Sequence, residues 1–334
     1  MKEALYYTKL KNKIVQCELC PNLCILKEEA IGKCKTRKNV SGKLVSLSYG
    51  NLVAVHIDSI FKKPLYHFLP GTDTFSIGSA GCTMSCQMCQ NWEVSQRTPS
   101  EVRSRYFSPE DIVKVAKENK CPSISYTYTE PITMYEYVLE TAKIAKKEGL
   151  KNIFVSNGYI NPKPLKELCR YIDAVNIDLK AFNEKFYQKI CSAKLKPVLE
   201  TLKILKKEKV WFEITNLIIP TLNDNLKEIE KMCKWIKQNL GANVPIHFSR
   251  FLPNYKLKKI ESTPEETLKK ARDIAMKAGL RYIYIGNILI PGAEDTYCPK
   301  CKKVVIKRSG FYVTENNLKR GECICGEKIK GAWV

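Results

Sequence analysis

Three closely spaced cysteines constrain the fold of this chain more than any other feature. Cys82, Cys86 and Cys89 follow the pattern Cys-x3-Cys-x2-Cys, directly after the strand-like run 75–78. A structural zinc site usually takes four protein ligands, whereas three thiolates on a cubane iron–sulfur cluster leave one of its four irons open. The spacing therefore predicts a loop that binds a redox-active cluster with a free coordination site, and the rest of the chain should fold around it.

Two further groups of cysteines lie near the ends of the chain, which indicates metal binding rather than disulfides. The first group predicts a small metal-binding segment, with zinc as the first choice and an auxiliary cluster as the alternative: Cys17, Cys20, Cys24 and Cys34. The last predicts a zinc-ribbon-like site: Cys298, Cys301, Cys323 and Cys325. Four isolated thiols are interpreted as small buried hydrophobes: Cys121, Cys169, Cys191 and Cys233.

From residue 75 onward, strand-like and helical patterns alternate along the chain. Strands are predicted at 75–78, 122–128, 151–156, 173–179, 210–218, 244–248 and 281–286. Helices are predicted at 108–119, 133–148, 162–171, 196–208, 224–239 and 263–278. This alternation is typical of crossover units and a parallel sheet. Upstream, 44–50 and 51–57 are predicted to form a strand pair, and the prolines and glycine of 62–71 predict a loop.

The predicted strands are polar on one face. In 173–179, Val175 and Ile177 alternate with Asn176 and Asp178, and the runs 210–218 and 244–248 alternate similarly. Apolar side chains can pack outward against helices while the polar set faces a lumen, which suits a barrel with an open interior better than a packed plug. Chemistry in such a barrel gathers at the carboxyl ends of the strands. His67, in the loop before the barrel, is either an ordinary loop histidine or a neighbour of the cysteine loop.

Composition adds few constraints. The 334 residues carry a formal net charge of +22, which allows attraction to nucleic acid or to another anionic partner. Lysine-rich helix faces explain the same charge without any such partner. No charged-then-apolar leader and no apolar run of about 18 residues is visible, so we expect a soluble, cytoplasmic protein with no membrane partner.

Four segments resemble the radical S-adenosylmethionine (SAM) superfamily. They are Gly81–Trp92 around the three cysteines, Tyr126–Pro131 with the sequence Tyr-Thr-Tyr-Thr-Glu-Pro, Ser156-Asn157-Gly158 and Asp178-Leu179-Lys180. Together with the cysteine-rich ends, they resemble the radical enzymes of the AmmeMemoRadiSam system, related to pyruvate formate-lyase activating enzymes. Two residues depart from the family pattern: Met88 replaces the usual aromatic residue, and Thr129 replaces a glycine.

The resemblance implies a fold and a domain organisation. The fold class is α/β, a partial (β/α)6 TIM-like barrel with cysteine-rich metal-binding extensions at both ends. The expected segments are 1–40 (cysteine-rich), 41–74 (N-terminal strands and lead-in loop), 75–290 (radical SAM barrel) and 291–334 (zinc-ribbon-like). A six-stranded barrel would make 281–286 an appended strand.

The resemblance also implies the cofactors and their ligands. Cys82, Cys86 and Cys89 would hold a [4Fe-4S] cluster whose open iron binds the amino and carboxylate groups of SAM. Thr129 and Glu130 occupy the turn that receives the SAM amino group, while Ser156 and Asn157 would approach its ribose or methionine part. Three more residues would line the far wall: Asp178, Lys180 and His247. One electron would cleave SAM to a 5′-deoxyadenosyl radical, which must be kept from water while it abstracts hydrogen.

Three functions remain open at this point. The first is a radical SAM enzyme that abstracts hydrogen from an unidentified substrate, in the manner of an activase. Its partners would be a protein substrate or a Memo-like or AMMECR-like protein, and an electron donor such as ferredoxin or flavodoxin. The second, suggested by the positive charge, is a radical SAM enzyme that modifies RNA. The third, suggested by the cysteine groups, is a non-catalytic zinc-binding adaptor.

Overall fold

A nine-stranded sheet forms the centre of the protein in the computed structural model, which describes residues 2–333. Seven of its strands run parallel in chain order: Asp73–Ser79, Ser123–Tyr126, Lys151–Ser156, Ala174–Asp178, Trp211–Ile218, Ile246–Arg250 and Ile283–Gly286. The last of these continues the parallel order beyond the six strands expected from the resemblance. Asn51–Ser59 and Arg105–Tyr106 extend the opposite edge antiparallel. The mostly parallel α/β architecture is confirmed.

Amphipathic helices connect these strands and pack on the outside of the sheet. They are Pro109–Glu118, Tyr135–Lys147, Pro162–Leu168, Leu195–Lys207, Leu226–Asn239 and Glu265–Lys277, with shorter helices at Trp92–Ser95 and Glu184–Phe186. The start of the first long helix shows how the sequence fixes a boundary. Ser108 Oγ accepts a hydrogen bond from Asp111 N at 3.1 Å, and Asp111 Oδ2 accepts one from Ser108 N at 3.1 Å. This capping box satisfies two N–H groups that would otherwise lack partners.

The N-terminal segment forms two small three-stranded sheets rather than the strand pair expected at 44–57. One contains Lys2–Glu3, Arg37–Val40 and Lys43–Ser46, and the other contains Tyr7–Lys9, Val15–Cys17 and Ile25–Leu26. Ser41 and Gly42 both have positive φ angles, 51° and 82°, which suits a two-residue hairpin turn. Because this turn pairs 43–46 with the preceding strand, Asn51–Ser59 is left to pair with Asp73–Ser79.

The loop 60–71 fills the barrel near the amino ends of its strands. Asn176 Nδ2 donates to Pro64 O at 2.8 Å, and the Glu213 carboxylate accepts from the backbone N–H groups of Tyr66 and His67 at 3.0 and 2.7 Å. The expectation of a fully open polar lumen is therefore wrong for this half of the barrel. The polar side chains are satisfied there by the protein's own backbone, as buried polar groups generally must be.

The C-terminal segment closes the same end of the barrel. Its three-stranded antiparallel sheet comprises Thr296–Tyr297, Val304–Ser309 and Tyr312–Asn316. Ala332 N donates to His67 O, and Leu69 N donates to Ala332 O, both at 2.8 Å. Cys298, Val305 and Ile329 share one apolar cluster with the loop 60–71. Across residues 2–333, no helix has the length and apolar character required to cross a membrane.

Candidate active site

The loop 80–91 holds the three central cysteines at the carboxyl end of the first parallel strand. Ser85 N donates to Cys191 O at 3.0 Å and Gln87 N donates to Ile190 O at 2.9 Å, so the segment 187–191 anchors the middle of the loop. Gly81 begins the loop with φ of 88°, and a Cβ there would lie 2.4 Å from the carbonyl oxygen of Cys34. Only glycine fits this turn.

Each of the three thiols has a polar neighbour that suits a metal-bound thiolate. Cys82 Sγ accepts hydrogen bonds from Met84 N and Asn157 Nδ2, both at 3.5 Å. Ser95 Oγ lies 3.2 Å from Cys89 Sγ, and the Cys191 thiol lies beside Cys86. Donors of this kind stabilise sulfur ligands and tune cluster potentials.

The spread of these thiols fits a cluster rather than a single ion. Thiolates on one tetrahedral zinc at about 2.3 Å stand about 3.8 Å apart, whereas thiolates on a cubane each bind a different iron and stand further apart. Among residues 2–333, one set of three or more candidate ligands has all its ligand atoms within 4.8 Å of one another, and that set is at the C-terminus. Cys82, Cys86 and Cys89 are not part of it.

Glu130 is the buried carboxylate that holds the polar residues beside Cys82 in place. Its carboxylate accepts from Ser156 Oγ and from Asn157 N, both at 2.8 Å, and burial raises its pKa to about 7. The Asn157 side chain then reaches Cys82 Sγ, which links the carboxylate to the cysteine loop. Thr129, the departure from the family pattern, donates its hydroxyl to Ser79 O at 2.6 Å and so fastens this turn to the first parallel strand.

Lys180 provides a positive charge on the other side of the cysteine loop. Its Nζ lies 3.0 Å from Asp178 Oδ2. Burial alone would lower the pKa of Lys180, but the charges of Asp178 and of the Cys86 thiolate outweigh burial and raise its pKa well above the usual value. The backbone N–H of Lys180 donates to the Tyr187 hydroxyl at 3.1 Å, which fixes the turn after the strand. A permanent cation here can pair with a carboxylate ligand.

Six of the seven predicted cofactor-binding residues thus lie near the cysteine loop: Thr129, Glu130, Ser156, Asn157, Asp178 and Lys180. His247 does not, because it is the second residue of its strand and lies toward the filled end of the barrel. Its Nε2 is 2.7 Å from Glu213 Oε2, and its ring stacks on Tyr284 at 5.0 Å.

His67 lies in the same distant cluster and not beside the cysteine loop. Its Nδ1 is 2.7 Å from the carbonyl oxygen of Lys330, which can only accept, so Nδ1 carries the proton. Nε2 therefore accepts from the Tyr284 hydroxyl at 2.6 Å. Burial lowers the pKa of His67 to about 4, which keeps the ring neutral.

Sequence reasoning missed two features of the site. Cys191, interpreted as an isolated buried thiol, lies against Cys86, and no local pattern in the sequence indicates that contact. Trp92 and Tyr255 stack with their ring centroids 4.9 Å apart, and Lys256 N donates to Gln87 O at 3.0 Å. The loop 251–260 therefore borders the site. Met88, the other departure from the family pattern, is a buried apolar residue of the cysteine loop, with 4% of its surface exposed.

The two terminal cysteine groups differ from each other in geometry. At the C-terminus, Cys298 Sγ lies 3.6 Å from Cys325 Sγ, and Cys301 Sγ lies 3.7 Å from Cys323 Sγ. These separations match four thiolates around one tetrahedral ion. At the N-terminus, the four thiols line a common cavity instead of meeting at a point: Cys17, Cys20, Cys24 and Cys34.

Comparison with known proteins assigns this arrangement to a family. Residues 76–236 match the radical SAM superfamily. The chain is 46% identical over 332 residues to an uncharacterized protein of Methanocaldococcus jannaschii, covering 98% of this chain and 99% of that protein. It is 27% identical to a glycyl-radical enzyme activating enzyme, so named, of the same organism, covering 70% of this chain and 87% of the relative.

More distant similarities agree with this assignment. A pyruvate formate-lyase-activating enzyme of Clostridium pasteurianum is 23% identical, covering 57% of this chain and 84% of that enzyme. The crystal structure of a radical SAM methyltransferase from Sphaerobacter thermophilus superposes with a TM-score of 0.50 at 14% identity, covering 66% of this chain and 67% of the other, and supports the fold alone. The chain belongs to the radical SAM superfamily and is a radical SAM enzyme.

Proposed function

We propose that this enzyme abstracts a hydrogen atom from a protein substrate, in the manner of an activating enzyme. The observation that carries the proposal is the convergence of three thiols, a buried carboxylate and a lysine at one end of the barrel. Cys82 and Glu130 are linked through Asn157, and Lys180 lies beside Cys86. The similarity to proteins named as activating enzymes supports a protein substrate.

The residues of this site would hold the family's two cofactors. Together, a bound [4Fe-4S] cluster and SAM supply the one-electron cleavage that generates a 5′-deoxyadenosyl radical. Cys82, Cys86 and Cys89 would hold the cluster, and Lys180 would pair with the SAM carboxylate. Glu130 would fix the backbone at 156–157, so that Ser156 and Asn157 meet SAM in one orientation. Rigid placement of this kind is what radical chemistry requires of the protein.

The filled half of the barrel protects the chemistry from water. Because loop 60–71 bonds to Asn176 and Glu213, the barrel is filled at the amino ends of these strands. There the loop 251–260 stands at the rim through the Trp92–Tyr255 stack. A site filled at one end and bordered by a loop at the other favours a substrate that inserts a protruding chain segment.

The remaining assignments belong to the same proposal. The convergent C-terminal thiols would bind one zinc ion with a structural role. A formal charge of +22 favours an acidic electron-transfer protein such as a ferredoxin or flavodoxin as the donor, in the cytoplasm. Memo-like and AMMECR-like proteins are the first candidate partners to test as substrates.

Formation of 5′-deoxyadenosine tests the core of the proposal. The full chain, reconstituted anaerobically with iron and sulfide, should convert SAM to 5′-deoxyadenosine and methionine when a strong reductant is added. Cys86→Ala should abolish this product, whereas Cys233→Ala, which removes a buried thiol of a helix outside the site, should not. No product from the reconstituted parent chain would refute the proposed chemistry.

Deuterium transfer separates a protein substrate from RNA. Cells grown in heavy water supply deuterated protein and deuterated RNA fractions, and each is incubated with the reconstituted enzyme and unlabelled SAM. We expect deuterium in 5′-deoxyadenosine when the protein fraction is present. Label arising from the RNA fraction alone would instead favour the RNA-modifying alternative and reject a protein substrate.

A further inference from the structure

The four N-terminal thiols surround a cavity rather than a point. Cys17, Cys20 and Cys34 are buried, Cys24 is half-buried, and all four line the same cavity. A Cβ placed on Gly32 would lie 3.8 Å from Cys34 Sγ and 3.9 Å from Cys24 Sγ, so position 32 borders both of these thiols. All four thiols therefore line one common cavity.

The C-terminal thiols provide an internal comparison for this geometry. The C-terminal Sγ atoms all lie within 4.8 Å of one another, and the N-terminal ones do not. Zinc draws four thiolates to about 3.8 Å from one another. The N-terminal arrangement therefore suits a larger group in which each thiolate binds its own metal atom.

A buried arginine in the cavity wall lacks one of its partners. Arg37 is 1% exposed and uses Nη1 to donate to Leu5 O and Nη2 to donate to the Glu136 carboxylate. Its Nε has no hydrogen-bond partner among the described residues, although Arg37 lines the same cavity as the thiols. A buried, unpaired N–H is costly unless an acceptor is supplied. A cluster ligated by four thiolates is negatively charged and presents sulfur acceptors.

The cavity lies directly behind the active-site loop. Thr83, the residue after Cys82, is part of the cavity wall. The side-chain amide of Asn22 donates to Thr83 O at 2.9 Å, and the carbonyl of Cys34 packs against Gly81. One layer of backbone, residues 81–83, separates the two groups of thiols. On the outer side, half-buried Cys24 is flanked by Leu23 and Ile25, which are 46% and 64% exposed.

We infer that Cys17, Cys20, Cys24 and Cys34 bind a second [4Fe-4S] cluster that relays electrons to the first. One electron from a reduced ferredoxin-type or flavodoxin-type protein enters on the Cys24 side and reduces the second cluster. That cluster is reoxidised when it passes the electron across residues 81–83, and the electron is consumed in the reductive cleavage of SAM. The binding of this second cluster does not depend on the proposed function.

Metal content after removal of the first cluster tests the site. The triple variant Cys82→Ala/Cys86→Ala/Cys89→Ala of the full chain is reconstituted anaerobically, and iron, sulfide and zinc are measured per folded chain. We expect iron to fall from about eight atoms in the parent to about four in the variant. A matched control, Cys121→Ala/Cys169→Ala/Cys233→Ala, should keep the parent's iron content.

The opposite metal pattern would overturn the inference. Zinc at two atoms per chain with no iron in the triple variant would show a zinc site at the N-terminus. Should the variant fail to fold, the parent chain decides the question, because about four irons instead of about eight would leave no second cluster. Neither measurement involves SAM, so failure here is separate from failure of the proposed chemistry.

The relay is tested by changing the reductant. Cys24→Ala should lose 5′-deoxyadenosine formation when reduced flavodoxin is the donor and retain it when dithionite is. A small reductant can reach the first cluster through the active-site opening, whereas a protein cannot. Equal activity of the variant and the parent with flavodoxin would overturn the relay.

Discussion

Replacing Glu213 by glutamine should weaken the attachment of the loop 60–71 and the C-terminal segment to the barrel. The Glu213 side chain is fully buried and accepts four hydrogen bonds. Oε1 accepts from His67 N at 2.7 Å and from Trp211 Nε1 at 3.2 Å, while Oε2 accepts from Tyr66 N at 3.0 Å and from His247 Nε2 at 2.7 Å. Burial alone would raise the pKa of Glu213, but the hydrogen bond from His247 and the neighbouring charges outweigh burial and lower its pKa.

The size of the effect follows from this geometry. If the glutamine NH2 group replaces Oε1, it faces the donors of His67 and Trp211 and two hydrogen bonds are lost. If it replaces Oε2, it faces the Tyr66 N–H, while His247 can change tautomer and accept, so one bond is lost. Hydrogen bonds to a charged group contribute about 1.5–3 kcal/mol each, so the loss of one or two should lower the free energy of unfolding by about 1.5–6 kcal/mol. With an unfolding entropy of about 2.1 cal/mol/K per residue, the melting temperature of this 334-residue chain should fall by about 2–9 °C.

Thermal unfolding of the metal-loaded full chain measures this change. Glu261→Gln is a matched control, because Glu261 is exposed and makes no side-chain hydrogen bond or ion pair among the described residues. It should melt within about 1 °C of the parent, as surface substitutions usually do. A Glu213→Gln variant that also melts with the parent would refute the role assigned to this carboxylate.

Three further perturbations test other parts of the molecule. The pKa of His67 is about 4 in the folded chain and about 6.5 in the unfolded chain, so only the unfolded state binds a proton between these pH values. The free energy of unfolding should therefore fall by about 3 kcal/mol as the pH drops from 6.5 to 4. His67→Gln should make the melting temperature less dependent on pH in this range. Cys301→Ala should release the C-terminal metal and lower the melting temperature. A chelator should lower the melting temperature of the parent toward that of the variant, and it should leave the melting temperature of the variant unchanged. Cys191→Ala should keep the iron content of the parent while Cys86→Ala lowers it, because Cys191 is a neighbour of the cluster loop and not a ligand; equal iron loss in both would contradict this.

Local patterns in the sequence predict most of the barrel. The strand 151–156 is predicted with its observed bounds, and the helix at 108–119 differs from Pro109–Glu118 by one residue at each end. Both depend on signals carried within a few residues: an apolar run for the strand, and the Ser108-Pro109 start for the helix. The spacing of the three central cysteines is also a local signal, because all three thiols lie on one loop.

Features that depend on distant contacts were not predictable. Glu213 and His247 alternate with apolar residues just as Asp178 does, but only the structure shows that a loop from residues 60–71 reaches the first two. Thr263 has the sequence of a helix cap, yet its hydroxyl donates to Ile218 O at 2.6 Å and the helix begins at Glu265. In each case a polar side chain found its partner more than ten residues away, which no local pattern encodes.

The contact between Gly81 and Cys34 makes the shape of the cysteine loop depend on a segment far away in the sequence. The carbonyl of Cys34 occupies the space that any side chain at position 81 would need, so the start of the loop 80–91 is fitted to the N-terminal segment. Displacing residues 17–36 would therefore disturb two groups of thiols at once, their own and the three on the loop.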